Sequence, residues 1–285
     1  MYWTRRLGVL AGATVSAVTV AVVGVAVPAH AAAATHVVSV TERFDSDPKG
    51  DGVGCGSGFM NVGGGAYLSG AVGHAHIASL RKLTGVYVAT AHEEADGYDA
   101  PWSLTVQSLC APTIARTIDE TVGHGPDDPT SSTAAATCPI NMSVIGAAAE
   151  DRHMHGMPVM ARPSADLRSV TGAVVPDATA APAPVRALVF ASCATHPLGL
   201  QRVAAIGTLS SASPQTVVAR CPFDRHLYGT GYAIMGRNIF GALVPMSGVV
   251  LDDLRVTNNS VTVTAYESGG GPAGNWRVEA YAICV

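Results

Sequence analysis

The six cysteines of this chain recur with a fixed period. Cys55, Cys138 and Cys221 are spaced by 83 and again by 83, Cys193 follows Cys110 by the same 83, and Cys284 follows Cys193 by 91, so the last interval is longer by 8. The series reads as one cysteine-bounded unit written three times, over 36–110, 111–193 and 194–285. The flanking residues keep the same register. Trp102, Val185 and Trp276 each stand eight residues before the closing cysteine, and each opens a run that alternates small or apolar with polar residues. That alternation is the period-2 signal of a half-buried strand. Val62-Gly63, Ile145-Gly146 and Tyr228-Gly229 follow each opening cysteine by seven and eight residues. Glycine inside a strand pattern marks a bulge or the close approach of another backbone, so the shared glycine predicts one packing contact made three times.

An even cysteine count suits an exported chain with three disulfides. Two pairings treat all units alike. One joins Cys55–Cys110, Cys138–Cys193 and Cys221–Cys284; the other joins Cys110–Cys138, Cys193–Cys221 and Cys284–Cys55. Loop-closure entropy does not separate them. The first lets each unit close without waiting for the termini to meet, and is the pairing expected.

Residues 1–31 read as a cleaved signal peptide: Arg5-Arg6, an uncharged apolar stretch from Leu7 to Val27, then Pro28-Ala29-His30-Ala31 as an Ala-x-Ala cleavage site. Both the general and the twin-arginine export routes fit, and the mature protein is expected outside the cell. Cleavage removes two arginines and no acid, leaving 15 basic residues against 21 acidic ones. No basic stripe remains, which argues against nucleic acid and anionic membrane surfaces. No nucleic-acid partner, and no membrane after cleavage, is therefore expected.

No segment after the leader carries a sustained helical stripe. Strand patterns recur instead, as in Gly85-Val-Tyr-Val-Ala-Thr-Ala, Leu200–Leu209, Gln215–Arg220 and Ser260-Val-Thr-Val-Thr-Ala-Tyr. Five or six short strands per unit make the protein all-β. Units this short, and rich in Val, Ala and Gly, bury little apolar surface alone. A shared core, with three sheets about a pseudo-threefold axis as in a β-prism, is expected over the alternative of three tandem small β-sandwiches.

Cys138-Pro139, Cys221-Pro222, Gly63-Gly64-Gly65-Ala66 and Trp276-Arg-Val-Glu-Ala-Tyr-Ala-Ile-Cys284 resemble the units of exported bacterial three-repeat proteins of uncharacterised function. The second unit departs from that pattern, with Val185 for tryptophan and alanines for glycines. In layout alone, the three cysteine-bounded units are similar to the vitelline membrane outer layer protein and its β-prism. That likeness implies an extracellular structural or sugar-related role.

Several constellations invite a chemical reading. Trp102 and Trp276 would stack on sugar rings, but their shared place beside a cysteine fits core anchors better. In an extended chain His153, His155 and Met157 would share a face suited to copper; Met also fills cores without a metal. His74-Ala75-His76 has no counterpart at the same offset. Asp45-Ser-Asp47-Pro-Lys-Gly50-Asp51-Gly52 looks like a calcium loop, yet Lys49 stands where an acidic ligand belongs. Glu93, Glu94, Asp96 and Asp99 form an acidic tip read as solvated. No nucleophile elbow, zinc-protease helix, phosphate loop or dinucleotide fingerprint occurs. The residues thus assign no catalytic, cofactor or metal site. They lead to a secreted, non-catalytic structural or binding protein that contacts a cell-wall polymer or extracellular polysaccharide through its loop tips. The alternative is an extracellular hydrolase with its site on one repeat.

Overall fold

The computed structural model describes residues 35–94, 97–112, 118–195, 199–269, 271 and 274–285. The signal segment 1–31 and Asp96 lie outside them. The described residues form nineteen strands and no helix. The first six are β1 (His36–Thr41), β2 (Lys49–Gly54), β3 (Phe59–Ser69), β4 (Ala75–Leu83), β5 (Val86–Glu93) and β6 (Ser103–Pro112). The next six are β7 (Ile118–His124), β8 (Ser132–Thr137), β9 (Met142–Asp151), β10 (Gly156–Pro163), β11 (Ser169–Pro176) and β12 (Ala187–Thr195). The last seven are β13 (Gln201–Ile206), β14 (Gln215–Arg220), β15 (Leu227–Arg237), β16 (Leu243–Pro245), β17 (Val249–Val256), β18 (Ser260–Glu267) and β19 (Trp276–Cys284).

The strands build three sheets. Sheet I runs β1-β6-β3-β17-β18-β14, sheet II runs β13-β19-β15-β10-β11-β8 with β16 beside β15, and sheet III runs β2-β5-β4-β9-β12-β7. Each sheet takes three strands from each of two chain segments, sheet II adding β16 from the last, and each segment divides its strands between two sheets. The segments therefore do not form separate sandwiches. At the middle of each sheet two segments meet through very few pairs: Asp253↔Tyr67 and Leu254↔Ala66 in sheet I, Met160↔Ala233 and Ala161↔Tyr232 in sheet II, Ser79↔Glu150 in sheet III.

The disulfides are Cys55–Cys110, Cys138–Cys193 and Cys221–Cys284, with Cα separations of 5.7, 5.6 and 5.6 Å. Their places revise the reasoning that led to this pairing. Cys55 follows β2 of sheet III and bonds to β6 of sheet I; Cys138 follows β8 of sheet II and bonds to β12 of sheet III; Cys221 follows β14 of sheet I and bonds to β19 of sheet II. Every pair of sheets is stapled once. No segment completes a sheet by itself, so the bridges tie neighbouring sheets together rather than close autonomous units.

The inner faces share one core, dominated by Val, Ala, Ile and Leu. The three glycines noted in the sequence meet inside it. A Cβ on Gly63 would lie 3.2 Å from the Gly229 Cα, one on Gly229 would lie 1.6 Å from the Ile145 carbonyl oxygen and 3.2 Å from the Gly146 Cα, and one on Gly146 would lie 3.4 Å from the Val62 carbonyl oxygen. Strands β3, β9 and β15 thus bring their backbones together at a point where side chains have no room. Thr230 crosses the same region, donating its hydroxyl to the Gly64 carbonyl at 2.9 Å.

Candidate functional site

A groove of 620 Å³ opens on the outer face of sheet III. One cross-strand row defines its floor: Gly50↔Thr90, Thr90↔Ser79, Ser79↔Glu150, Glu150↔Leu188 and Leu188↔His124. Ser79 and Thr90 share a hydroxyl hydrogen bond of 2.8 Å. Arg81 and His92 add polar groups, Leu83, Val88 and Leu188 form an aliphatic ledge, and Arg152 and Met154 close one end from the β9–β10 turn.

The edge strand opens this groove. Its Lys49-Gly-Asp-Gly-Val-Gly54 run places glycine at 50, 52 and 54, opposite Thr90, Val88 and Val86 of β5, so one face of the strand carries no side chain. At the positions 83 and 166 residues further on, β8 carries Thr133, Ala135 and Thr137, and β14 carries Thr216, Val218 and Arg220. Removing three side chains from one edge strand leaves the face of β5 and β4 uncovered.

Glu150 is held by one long contact. Its only hydrogen-bond partner among the described residues is Arg81, at 3.4 Å. Burial pushes its carboxyl up, Arg81 draws it back and Asp151 raises it further. Burial also lowers the His92 imidazole, helped by His76. Asp151, next in the chain, is structural: its two oxygens accept the backbone N–H groups of His155 at 2.8 Å and Arg186 at 2.7 Å.

On the other two sheets arginines lie over tyrosine rings. On sheet I the Arg255 guanidinium lies 3.8 Å from the Tyr67 ring centre and 3.4 Å from Asp253. On sheet II Glu279 accepts from Arg162 at 2.7 Å, from Arg277 Nε at 3.0 Å and from the Tyr281 hydroxyl, while Arg202 stands over the Tyr281 ring at 5.0 Å. Burial alone would raise Glu279, but the Tyr281 hydrogen bond and the two arginines hold it below the usual range. Tyr67 on β3 and Glu150 on β9 stand 83 residues apart, and Arg255 stands 174 residues after Arg81, twice 83 plus the 8 of the longer last interval. The same frame therefore holds a closed stack on sheet I and an open acid–guanidinium pair on sheet III.

The constellations singled out in the sequence have other roles. Trp102 and Trp276 are fully buried, and each indole N–H donates to a carboxylate nine residues upstream: Glu93 at 2.8 Å and Glu267 at 3.0 Å. The solvated reading of the acidic tip is therefore corrected at Glu93 and Glu94, whereas Asp99 is exposed. Glu93 serves a buried indole, and Glu94 is buried against His76 Nδ1 at 3.2 Å, because buried polar groups require partners. His153, His155 and Met157 do not share a face. The chain turns at Met154, which has φ of 59°, so His153 reaches Asp127 at 2.9 Å while Met157 enters the core. In the Asp45 loop the Lys49 ammonium is buried, bonds to Asp45 Oδ1 and the Asp47 carbonyl, and lies 4.5 Å from the Trp102 ring centre. That hydrogen bond from Lys49 holds the Asp45 carboxyl low. A lysine thus stands where a cation ligand was sought.

The groove residues Ser79, Arg81, Thr90, Glu150 and Leu188 were not singled out from sequence. Fold and site together define a disulfide-stapled all-β protein of three sheets with one open polar face. The chain matches no protein-family model and no curated protein.

Proposed function

We propose that this is a secreted binding protein, built from three copies of one unit, that holds an extracellular polysaccharide or cell-wall polymer along the outer face of sheet III. One observation carries the reading. The Arg81–Glu150 pair of sheet III stands in an open groove, while Glu279 of sheet II is held by two arginines and Tyr281, and Arg255 of sheet I lies over the Tyr67 ring. The groove mixes signs, with Arg81 and Arg152 beside Asp51 and Glu150, which suits an uncharged ligand whose hydroxyls both donate and accept. Its ledge of Leu83, Val88 and Leu188 suits the C–H faces of a sugar ring. The sheet face takes the role that the sequence gave to loop tips. Three disulfides accord with an oxidising, extracellular setting.

Co-sedimentation with insoluble cell-wall fractions and polysaccharides, followed by titration with soluble fragments, tests the proposal. Retention that weakens at least tenfold in Glu150→Gln and Arg81→Ala supports it; no retention on any polymer removes it.

A hydrolase is the second reading, favoured by the raised Glu150 carboxyl in a cleft, the form a general acid takes. It requires a second free carboxylate. Asp151 is held by backbone N–H groups, and Asp51 is the other acid lining the groove. Release of reducing ends that stops in Glu150→Gln while binding persists would establish it.

A further inference from the structure

The insertion that lengthens the last cysteine interval falls in the β15–β17 connector, and it ends in an apolar tip. Ile239 and Phe240 are 92% and 86% exposed, with Leu243 beside them. The turn that presents them is built. Asn238 Oδ1 accepts the backbone N–H groups of Phe240 at 3.0 Å and Ala242 at 2.9 Å, and the Asn238 and Gly241 N–H groups bond to Ala242 and Asn238 carbonyls, each at 2.9 Å. Arg237 donates to the Gly241 carbonyl at 3.2 Å. Below the tip, Met246 packs against Gly236, where a Cβ would meet its sulfur at 2.1 Å. Two large apolar side chains are thus held out in water by a turn in which the N–H groups of Asn238, Phe240, Gly241 and Ala242 are bonded.

We propose that this tip docks on a lipid surface by seating Ile239 and Phe240 below the headgroups. Four observations favour lipid over protein. Two side chains of this size offer roughly 350 Å², well short of the roughly 800 Å² per partner of a stable protein interface. Because the N–H groups of Asn238, Phe240, Gly241 and Ala242 are already bonded within the turn, entering an apolar phase costs the tip less than it would cost an open loop. The hydrogen-bonded turn is pre-ordered, so little freedom is lost on docking. Finally, from Met235 to Gly248 the chain has no acidic residue, and its one charged residue is Arg237. The membrane-free expectation rested on charge. This device is apolar, so that argument does not bear on it. Phe223, also exposed, stands singly between Pro222 and Asp224 and offers no such pair.

The test uses the full mature protein and vesicles of phosphatidylcholine, alone and with phosphatidylglycerol. Trp102 and Trp276 are fully buried, so in Phe240→Trp the new indole is the exposed reporter. The proposal expects its emission to shift to the blue with either vesicle, at low and at high salt. It also expects the lipid needed for half-maximal flotation to rise at least tenfold in the Ile239→Ser/Phe240→Ser double variant. An unshifted indole, flotation unchanged in the double variant, or binding lost at high salt overturns it. A wild-type dimer that the double variant abolishes would assign the tip to a second copy instead. Glu150→Gln should float like wild type, which separates this proposal from the groove reading.

Discussion

The glycine junction yields a graded prediction. Alanine at each of the three positions adds one carbon at a different clearance. At Gly146 the nearest atoms are at 3.4 Å, ordinary contact distance, so Gly146→Ala should leave stability within about 0.5 kcal/mol of wild type. At Gly63 the carbon meets the Gly229 Cα at 3.2 Å, and a backbone must give by a few tenths of an ångström, which should cost about 1 kcal/mol. At Gly229 it would lie 1.6 Å from the Ile145 carbonyl oxygen, less than half a contact distance, so β9 and β15 must separate. Overpacking of that kind costs about 3 kcal/mol or more, a large part of a total stability of about 5–15 kcal/mol. In a domain of this length it corresponds to a fall in Tm of roughly 6–12 °C. Urea titration followed by the emission of buried Trp102 and Trp276 measures all three. Gly229→Ala as stable as wild type, or Gly146→Ala the worst of the series, would refute the three-way junction.

Three further outcomes are expected. Gly50→Thr restores the residue type of Thr133 and Thr216 with its Cβ 3.4 Å from Thr90 Cγ2, so stability should stay within about 0.5 kcal/mol while groove binding weakens at least tenfold; titration calorimetry and urea midpoints check both. Trp102→Phe leaves Glu93 Oε1 without its indole donor and should cost about 2 kcal/mol, with Trp276→Phe alike, read from urea midpoints. Burial, then Asp253, raises Asp252 to about 8 in the folded protein, against about 3.9 in an unfolded chain. Its folded form binds the proton more tightly, so its contribution is complete below about pH 4 and is lost as pH rises through about 8. Asp252→Asn should therefore flatten the decline of the urea midpoint over that window; an unchanged slope would contradict the assignment.

Cysteine spacing, the Trp and Gly offsets and the period-2 runs made the strands and disulfides legible, because each is a local pattern repeated in register. The exchange of strands between segments was not legible. It depends on one or two residue pairs per sheet, such as Ser79↔Glu150, that no local period encodes. Glu93 was hidden because its role is set by an indole nine residues away that only the folded strand brings close. The groove had a signal that went unread. Lys49-Gly-Asp-Gly-Val-Gly54 aligns, one and two units on, with Ser132-Thr-Ala-Ala-Ala-Thr137 and Gln215-Thr-Val-Val-Ala-Arg220, and the missing side chains stand out only in that comparison. The His153–Met157 run misled because periodicity assumed an extended chain where a left-handed residue turns it.

Backbone amide NMR with soluble cell-wall and polysaccharide fragments tests the assignment of function to one face. The shifts should concentrate at Gly50, Ser79, Thr90, Glu150 and Leu188. Shifts spread equally over the three sheets, or confined to the faces that carry Tyr67 and Glu279, would contradict it.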